Sequence, residues 1–194
     1  YVKSSQTLSN GTLLHSKIKP LALKRGGLEL TKTVNSLEVL EKQTVFSISK
    51  LPDRPGIAAQ IFETLSEANI NVDLIIQATH DGKSNDIAFT VNDFELTKTI
   101  DQCKLITNQL GGEYDFKKNM TKLSIQGAGI MGRPSVSADL FDTLSQANIN
   151  VRLIATSEIK VSCVIDIDNI PKAIRFVSEK FKLSDKQIFI NPVI

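Results

Sequence analysis

The sequence predicts an α+β chain made of two similar βαββαβ units, each an antiparallel sheet with its helices on one face. Three observations carry that prediction. The stretch LPDRPGIAAQIFETLSEANINVDLI, residues 51–75, returns 79 residues later as IMGRPSVSADLFDTLSQANINVRLI, residues 130–154, with about half of the pairs identical. Around both copies, apolar alternation of period two flanks segments whose apolar residues recur three and four apart. The length, 194 residues, suits two small units, and units of that size hide only part of their apolar surface and lean on a neighbour.

The elements follow in order. Residues 44–50, TVFSISK, alternate as a half-buried strand. Pro52, Asp53 and Pro55 break it, and Pro55 is suited to the first position of a helix. That helix carries Ile57, Ile61, Phe62 and Leu65 as one apolar stripe. Asn69-Ile70-Asn71 ends it and launches a strand over 72–79. HDGKSN turns the chain, and residues 86–91 return as a strand. A second helix over 94–110 stops at Gly111-Gly112, and EYDFKKN closes the unit as an extended segment. The second unit repeats the plan: strand 123–127, helix 136–146, strands 151–155 and 159–167, then a helix opened by Pro171 and running to 181. The order β-α-β-β-α-β is the ferredoxin-like split βαβ plan, and right-handed crossovers put both helices of a unit on one face. Before residue 44, residues 1–16 have strand and turn character, 17–27 read as a surface connector, and 34–40 alternate. The tail KQIFINPVI has strand character. The boundaries drawn from this reading are 1–40, 41–119, 120–187 and 188–194.

Composition excludes several functions. Net charge is +2, so no partner is selected by charge. Residues 1–40 hold six Lys or Arg against two Asp or Glu, without the density or interleaved aromatics of a nucleic-acid arm, and read as a solvated linker. No apolar run approaches the roughly 20 residues a membrane helix needs. The chain begins with Tyr1, not Met, and looks like a fragment of something longer. Cys103 and Cys163 stand in different contexts, with no second Cys or His at metal-ligand spacing, and read as buried thiols of a reducing cytosol. His15 and His80 have no Asp or Ser constellation, so the sequence predicts no catalytic role and no metal site for either.

Gly127-Ala128-Gly129-Ile130-Met131-Gly132 fits G-x-G-x-x-G, follows a strand and precedes a helix, with Glu158 beyond the next strand, which is the setting of a dinucleotide fingerprint. The first unit continues identically from SKLPDRP, which has no glycine there, and the strand after VRLIATSE turns straight back. Only 62 residues follow Gly132, too few for a doubly wound sheet. The glycines are therefore expected to let the backbone approach something small, or another chain, at the helix entrance, not NAD or ATP.

The repeated turn is the candidate site. A strand-to-helix turn offers unpaired N–H groups at the positive end of a helix dipole, suited to a carboxylate. Here they belong to Gly56, Ile57 and Ala58. Asp53, three residues earlier, offers a carboxylate to an ammonium group, and Gln77 adds an amide. One turn thus complements both halves of an α-amino acid. The bland alternative is that Asp53 caps the helix and Gln77 faces water.

The turn LPDRPGIAAQIF followed by INVDLIIQ resembles the ACT domain, a small-molecule-binding regulatory module of amino-acid metabolism. Joined to KLSIQGAGIMGRPSVSADLFDTLSQANINVRLIATSEIKVSCVI, it is similar to the tandem ACT pair of the aspartokinase family, with TSEIKVS, residues 156–162, the most specific stretch. VKSSQTLSNGTLL resembles the end of that family's catalytic domain, and GLELTKTVNSLEVLEKQ the linker of its cyanobacterial-type members. The resemblance implies effector contacts at Asp53, Gly56, Ala58, Asp73 and Gln77, and in the second unit at Val136, Ser137, Asn148, Asn150, Val151, Ser157 and Glu158. Pro134-Ser135 departs from the family's Pro-Gly, and Ala78 from its Asn, which implies an altered effector preference in the second site. The resemblance further implies feedback binding of lysine or threonine, a homodimer joined through ACT domains, a catalytic domain as partner, and a cytoplasmic setting. It also implies that residues 34–40 complete the second unit's sheet. ATP and magnesium belong to the absent kinase domain, whose Lys-Phe-Gly-Gly-type segment is missing here, so this chain is expected to carry no cofactor. The competing readings are a free-standing dimerisation or transcription-regulatory ACT pair, for which no helix-turn-helix segment is visible, and a nucleotide-dependent enzyme.

Overall fold

The computed structural model of the protein describes residues 33–80, 84–130 and 132–191; the expectations for residues 1–32 and for Pro192 to Ile194 lie outside them. The elements are β1 (Ser36–Pro52), α1 (Ile57–Glu67), β2 (Ile75–His80), β3 (Ser84–Asn92), α2 (Leu96–Leu110), β4 (Glu113–Gln126), α3 (Pro134–Gln146), β5 (Val151–Thr156), β6 (Lys160–Asp166), α4 (Ile170–Phe181) and β7 (Ile188–Asn191). They form two ferredoxin-like halves sharing one sheet of order β2-β3-β1-β4-β6-β5, with β7 paired to β1.

The two long strands belong to both halves. Residues 43–48 of β1 pair with β3, and residues 45–49 pair with residues 113–117 of β4. Residues 36–40 of β1 instead pair with residues 122–126 of β4, and residues 37–40 take β7 in parallel on their other side. The segment before the first repeat therefore does enter the second half's sheet, and it reaches there as one continuous strand across residue 40.

Each long strand carries one extra residue at the crossing, with Lys42 at φ 55° and Asn119 at φ 59°. An inserted residue switches which alternate positions face a given side. Leu37 and Val39 face α3 and α4, whereas Phe46 and Ile48 face α1 and α2; in β4 the switch runs from Tyr114 and Phe116 to Leu123 and Ile125. The double bulge so keeps all four helices on one face of the shared sheet.

The apolar stripes read from the sequence lie in the cores. Ile57, Ile61 and Leu65 of α1 pack with Cys103 and Ile106 of α2 over Phe46, Ile87 and Phe89. The Phe46 ring stacks between Phe89 and Phe116 at 5.6 and 5.5 Å. The second core joins Leu140 and Leu144 of α3 with Ala173 and Val177 of α4 over Leu123, Ile125 and Cys163. On the helix-free face Val45, Met120 and Val164 form a small third cluster. Both thiols are fully buried, and burial, which disfavours thiolate, pushes each up to about 12. On the exposed rim, Lys117 and then Arg152 hold the Asp166 carboxyl below its usual range, at 2.6 and 3.3 Å.

The Ala-Asn-Ile repeat is a helix stop. Asn69 and Asn148 sit at φ 50° and 51°, the left-handed region that asparagine tolerates better than most residues. The same three bonds close both ends: Ala68, Asn69 and Ile70 donate to Thr64, Ser66 and Leu65, and Ala147, Asn148 and Ile149 donate to Thr143, Ser145 and Leu144. Ile70 and Ile149 then turn into the cores. Several boundaries move from the sequence reading: the segments 34–40 and 44–50 are one strand, as are 113–119 and 123–127, and α3 begins at Pro134 and not 136. Two other starts have a local cause. Strand β2 begins at Ile75 and not residue 72, because Leu74 N–H goes to the Thr90 hydroxyl at 3.0 Å instead of a regular ladder. Helix α1 begins after Gly56, whose φ of 94° breaks the helix path and leaves Pro55 in the turn.

Candidate amino-acid site

The turn into α1 is built around a fixed carboxylate. Asp53 is exposed, and its Oδ1 accepts a 2.9 Å hydrogen bond from Nδ2 of Asn85, which opens β3. Asp53 does not cap the helix, because the cap position is Gly56 and no side chain caps it. The first backbone donor used is Gln60 N–H, bonded to Gly56 O at 3.0 Å. The N–H groups of Ile57 and Ala58 thus stay available at the positive end of α1, while the Ile57 side chain lies in the core. Gln77 is exposed on edge strand β2 opposite Ile87.

Asp73 is not part of that turn. Asn85 lies five positions along β3 from Thr90, to whose carbonyl Asp73 N–H bonds, a span of about 17 Å at 3.4 Å per residue and longer than a free amino acid. The Asp73 carboxylate is already paired with Nζ of Lys122, a buried lysine of β4. Asp73 lines a cleft of about 480 Å³ with Asn71, Asn92 and Glu95. There Glu95 Oε1 accepts from Asn71 N–H at 2.9 Å.

The second-half residues fall into two groups. Ser137, Ser157 and Glu158 line a cavity of about 320 Å³ with Arg133 at the entry to α3, and the Val136 side chain beside them is in the core. Asn148, Asn150 and Val151 line a separate open groove of about 590 Å³ along β5 with Phe141 and Ile154. Asn148 has a structural duty there, the helix stop it shares with Asn69. Strand β5 is at one edge of the sheet and β2 is at the other. Within a single chain Asn150 and Val151 therefore lie away from Asp53.

The glycine motif faces the chain's own backbone. A Cβ on Gly127 would meet Thr33 O at 2.3 Å, and one on Gly129 would meet Thr33 Cα at 2.7 Å. Arg133 Nη1 adds a bond to Thr33 Oγ1 at 2.6 Å. These glycines admit the strand entering β1, so the close approach is internal. Sequence reasoning missed Asn85 altogether. It lies in the SND of β3, and only the fold carries it to Asp53.

Models of the ACT domain match residues 44–102 and 123–181. Aspartokinase of Thermus thermophilus is 31% identical over 185 residues, covering 94% of this chain and 44% of its own length. The chain thus spans less than half the length of that relative. The ligand-free regulatory subunit of aspartate kinase from Thermus thermophilus superimposes with a TM-score of 0.73 at 31% identity, over 77% of this chain and 99% of that one. Aspartate kinase from Synechocystis does so with a TM-score of 0.77 at 38% identity, over 81% of this chain and 28% of that one.

Proposed function

Because the chain belongs to the family of aspartokinase regulatory regions with tandem ACT domains, we propose that it senses an end-product amino acid, lysine or threonine or both, as a feedback signal. The observation that carries this reading is the turn from Asp53 to Ala58. An exposed, anchored carboxylate stands beside free N–H groups at a helix N-terminus. An α-amino acid brings an ammonium and a carboxylate that need paired partners when taken out of water, and this turn supplies both.

Closure comes from a second copy. Laying β2 of one chain beside β5 of another brings Asn150 and Val151 toward Asp53 and Gln77, and two-fold symmetry makes the site twice. The exposed apolar edges at Ile75 and Ile154, 51% and 47% accessible, suit that pairing. In this reading the chain carries no cofactor. ATP, magnesium and the phosphorylation of aspartate belong to a catalytic domain outside these residues, in the cytoplasm, and effector and substrate sites are coupled through the dimer. Among the described residues no helix is long and apolar enough to cross a membrane.

Calorimetric titration with L-lysine and L-threonine, singly and together, tests the reading. Asp53→Ala should weaken binding by about 2 kcal/mol, or roughly 30-fold. Apo stability should fall by only about 1 kcal/mol, because Asp53 caps nothing but Asn85 Nδ2 loses its acceptor. Equal affinity of parent and variant would rule out the site, and no binding of either amino acid by the parent would rule out the function.

A further inference from the structure

Asn85 is 4% exposed and pairs across to Leu51 in β1 and to Thr79 in β2. Its Nδ2 donates to Asp53, and its Oδ1 is buried without a partner. The orientation is forced: a carboxylate only accepts, so the amide must turn its NH₂ toward Asp53, and flipping it would set two oxygens face to face. The orphaned oxygen is thus the consequence of holding Asp53. A buried acceptor without a donor lowers stability, so the fold pays nothing back for this amide except the geometry of an exposed carboxylate.

The second half supplies the contrast. Phe46 pairs with Phe89 and Leu123 with Cys163 at equivalent places in the two halves. Counting back from those pairs, the equivalent of Asn85 is Ile159, and the repeat places Gly132 where the first half has Asp53. The half with the carboxylate has a buried amide; in the half without it the hairpin is shorter, and Ile159 lies 48% exposed in the turn between β5 and β6, so no amide stands there.

We propose that Asn85 is a positioning residue for amino-acid binding: it fixes the Asp53 carboxylate in the orientation that meets the ligand's ammonium, at the expense of apo stability. The inference rests on the reading of Asp53 as the ammonium's partner. Preorganising an acceptor removes the ordering cost that binding would otherwise carry.

The test uses the 194-residue chain with Asn85→Leu, a near-isosteric change that removes both the donor and the orphaned oxygen, and with Asn85→Asp. For each, the melting temperature without ligand and the Kd for L-lysine and L-threonine are measured, in the parent and in an Asp53→Ala background. The expected result has opposite signs. Asn85→Leu leaves the melting temperature unchanged or higher while weakening binding about tenfold, and in the Asp53→Ala background it changes Kd less than twofold. Asn85→Asp turns an acceptor toward Asp53 and weakens binding as well. A structural role would lower the melting temperature, or prevent folding of Asn85→Leu, and would weaken binding equally in both backgrounds; either outcome overturns the proposal, as does an unchanged Kd. If Asp53→Ala binds as the parent does, the functional reading fails and the positioning role with it. If Asp53→Ala weakens binding and Asn85→Leu does not, only the positioning role fails.

Discussion

The turn into α1 and the turn into α3 occupy equivalent places in the two halves and have opposite surroundings. The first carries a carboxylate held by Asn85, a glycine at φ 94° and an open face. The second has Gly132 in place of the carboxylate, a guanidinium bonded to Thr33, and two glycines pressed against the backbone that leads into β1. The helix and its asparagine stop are duplicated closely, bond for bond. A repeat therefore preserves what builds the core, while the turn at the helix entrance is free to diverge: it leaves an anchored carboxylate open in one half and seats the chain's own strand in the other.

The largest expected effect breaks the second turn. Gly127→Val would push a side chain into Thr33 O and Val34 Cα, which a Cβ alone would meet at 2.3 and 2.9 Å. Backbone atoms cannot swing aside as a side-chain tip does. Chemical denaturation should show a loss of about 3 kcal/mol, the upper part of the usual range for overpacking. A loss below about 1 kcal/mol would mean that the entry of β1 is not held there.

Gly132→Asp sharpens the comparison from the other side, by giving the second turn the missing carboxylate. There is open space around that position, and the strain comes only from its φ of 72°, so stability should fall by about 1 kcal/mol. The new carboxylate should gain no amino-acid binding, because Ile159 offers it no amide. A second calorimetric binding event in this variant would show that a carboxylate alone makes such a turn a site.

The smallest effect compares the two cores. Cys103 and Cys163, one in each, are held as neutral thiols, with values raised from 9.0 to about 12. Because the folded values lie above the unfolded one, their contribution to stability is complete below about pH 9 and is lost as pH rises toward 12. At pH 8 both folded thiols are buried and held neutral, so a thiol reagent should label both only through opening of the fold. Different labelling rates would mean that the halves open separately. Equal rates would mean that the shared strands make them one cooperative unit.

Much of this was legible in the residues. Periodicity located the four helices and most strands, because an amphipathic stripe is a local pattern of three- and four-residue spacing that burial selects directly. The Asn-Ile-Asn ends and the Asp53 turn were legible for the same reason, since caps and turns are decided by residues within one loop. The starts of α1 and β2 were misplaced where a single left-handed glycine or one threonine hydroxyl overrode the local pattern.

What the sequence by itself determined is the list of elements, their apolar faces, the duplicated plan and the chemistry offered at the first turn. Only the tertiary structure decided that β1 and β4 each serve both halves, that a bulge in each keeps every helix on one face, and that β7 closes beside residues 37–40. Strand pairing joins residues up to about 150 apart in this chain, such as Leu37 and Ile188, and hydrogen-bonding groups on a backbone carry no record of their partners. The same holds for the site. Asp53 announces itself in its turn, whereas Asn85, 32 residues away, becomes its holder only because β1 and β3 lie side by side and their register brings one amide to one carboxylate.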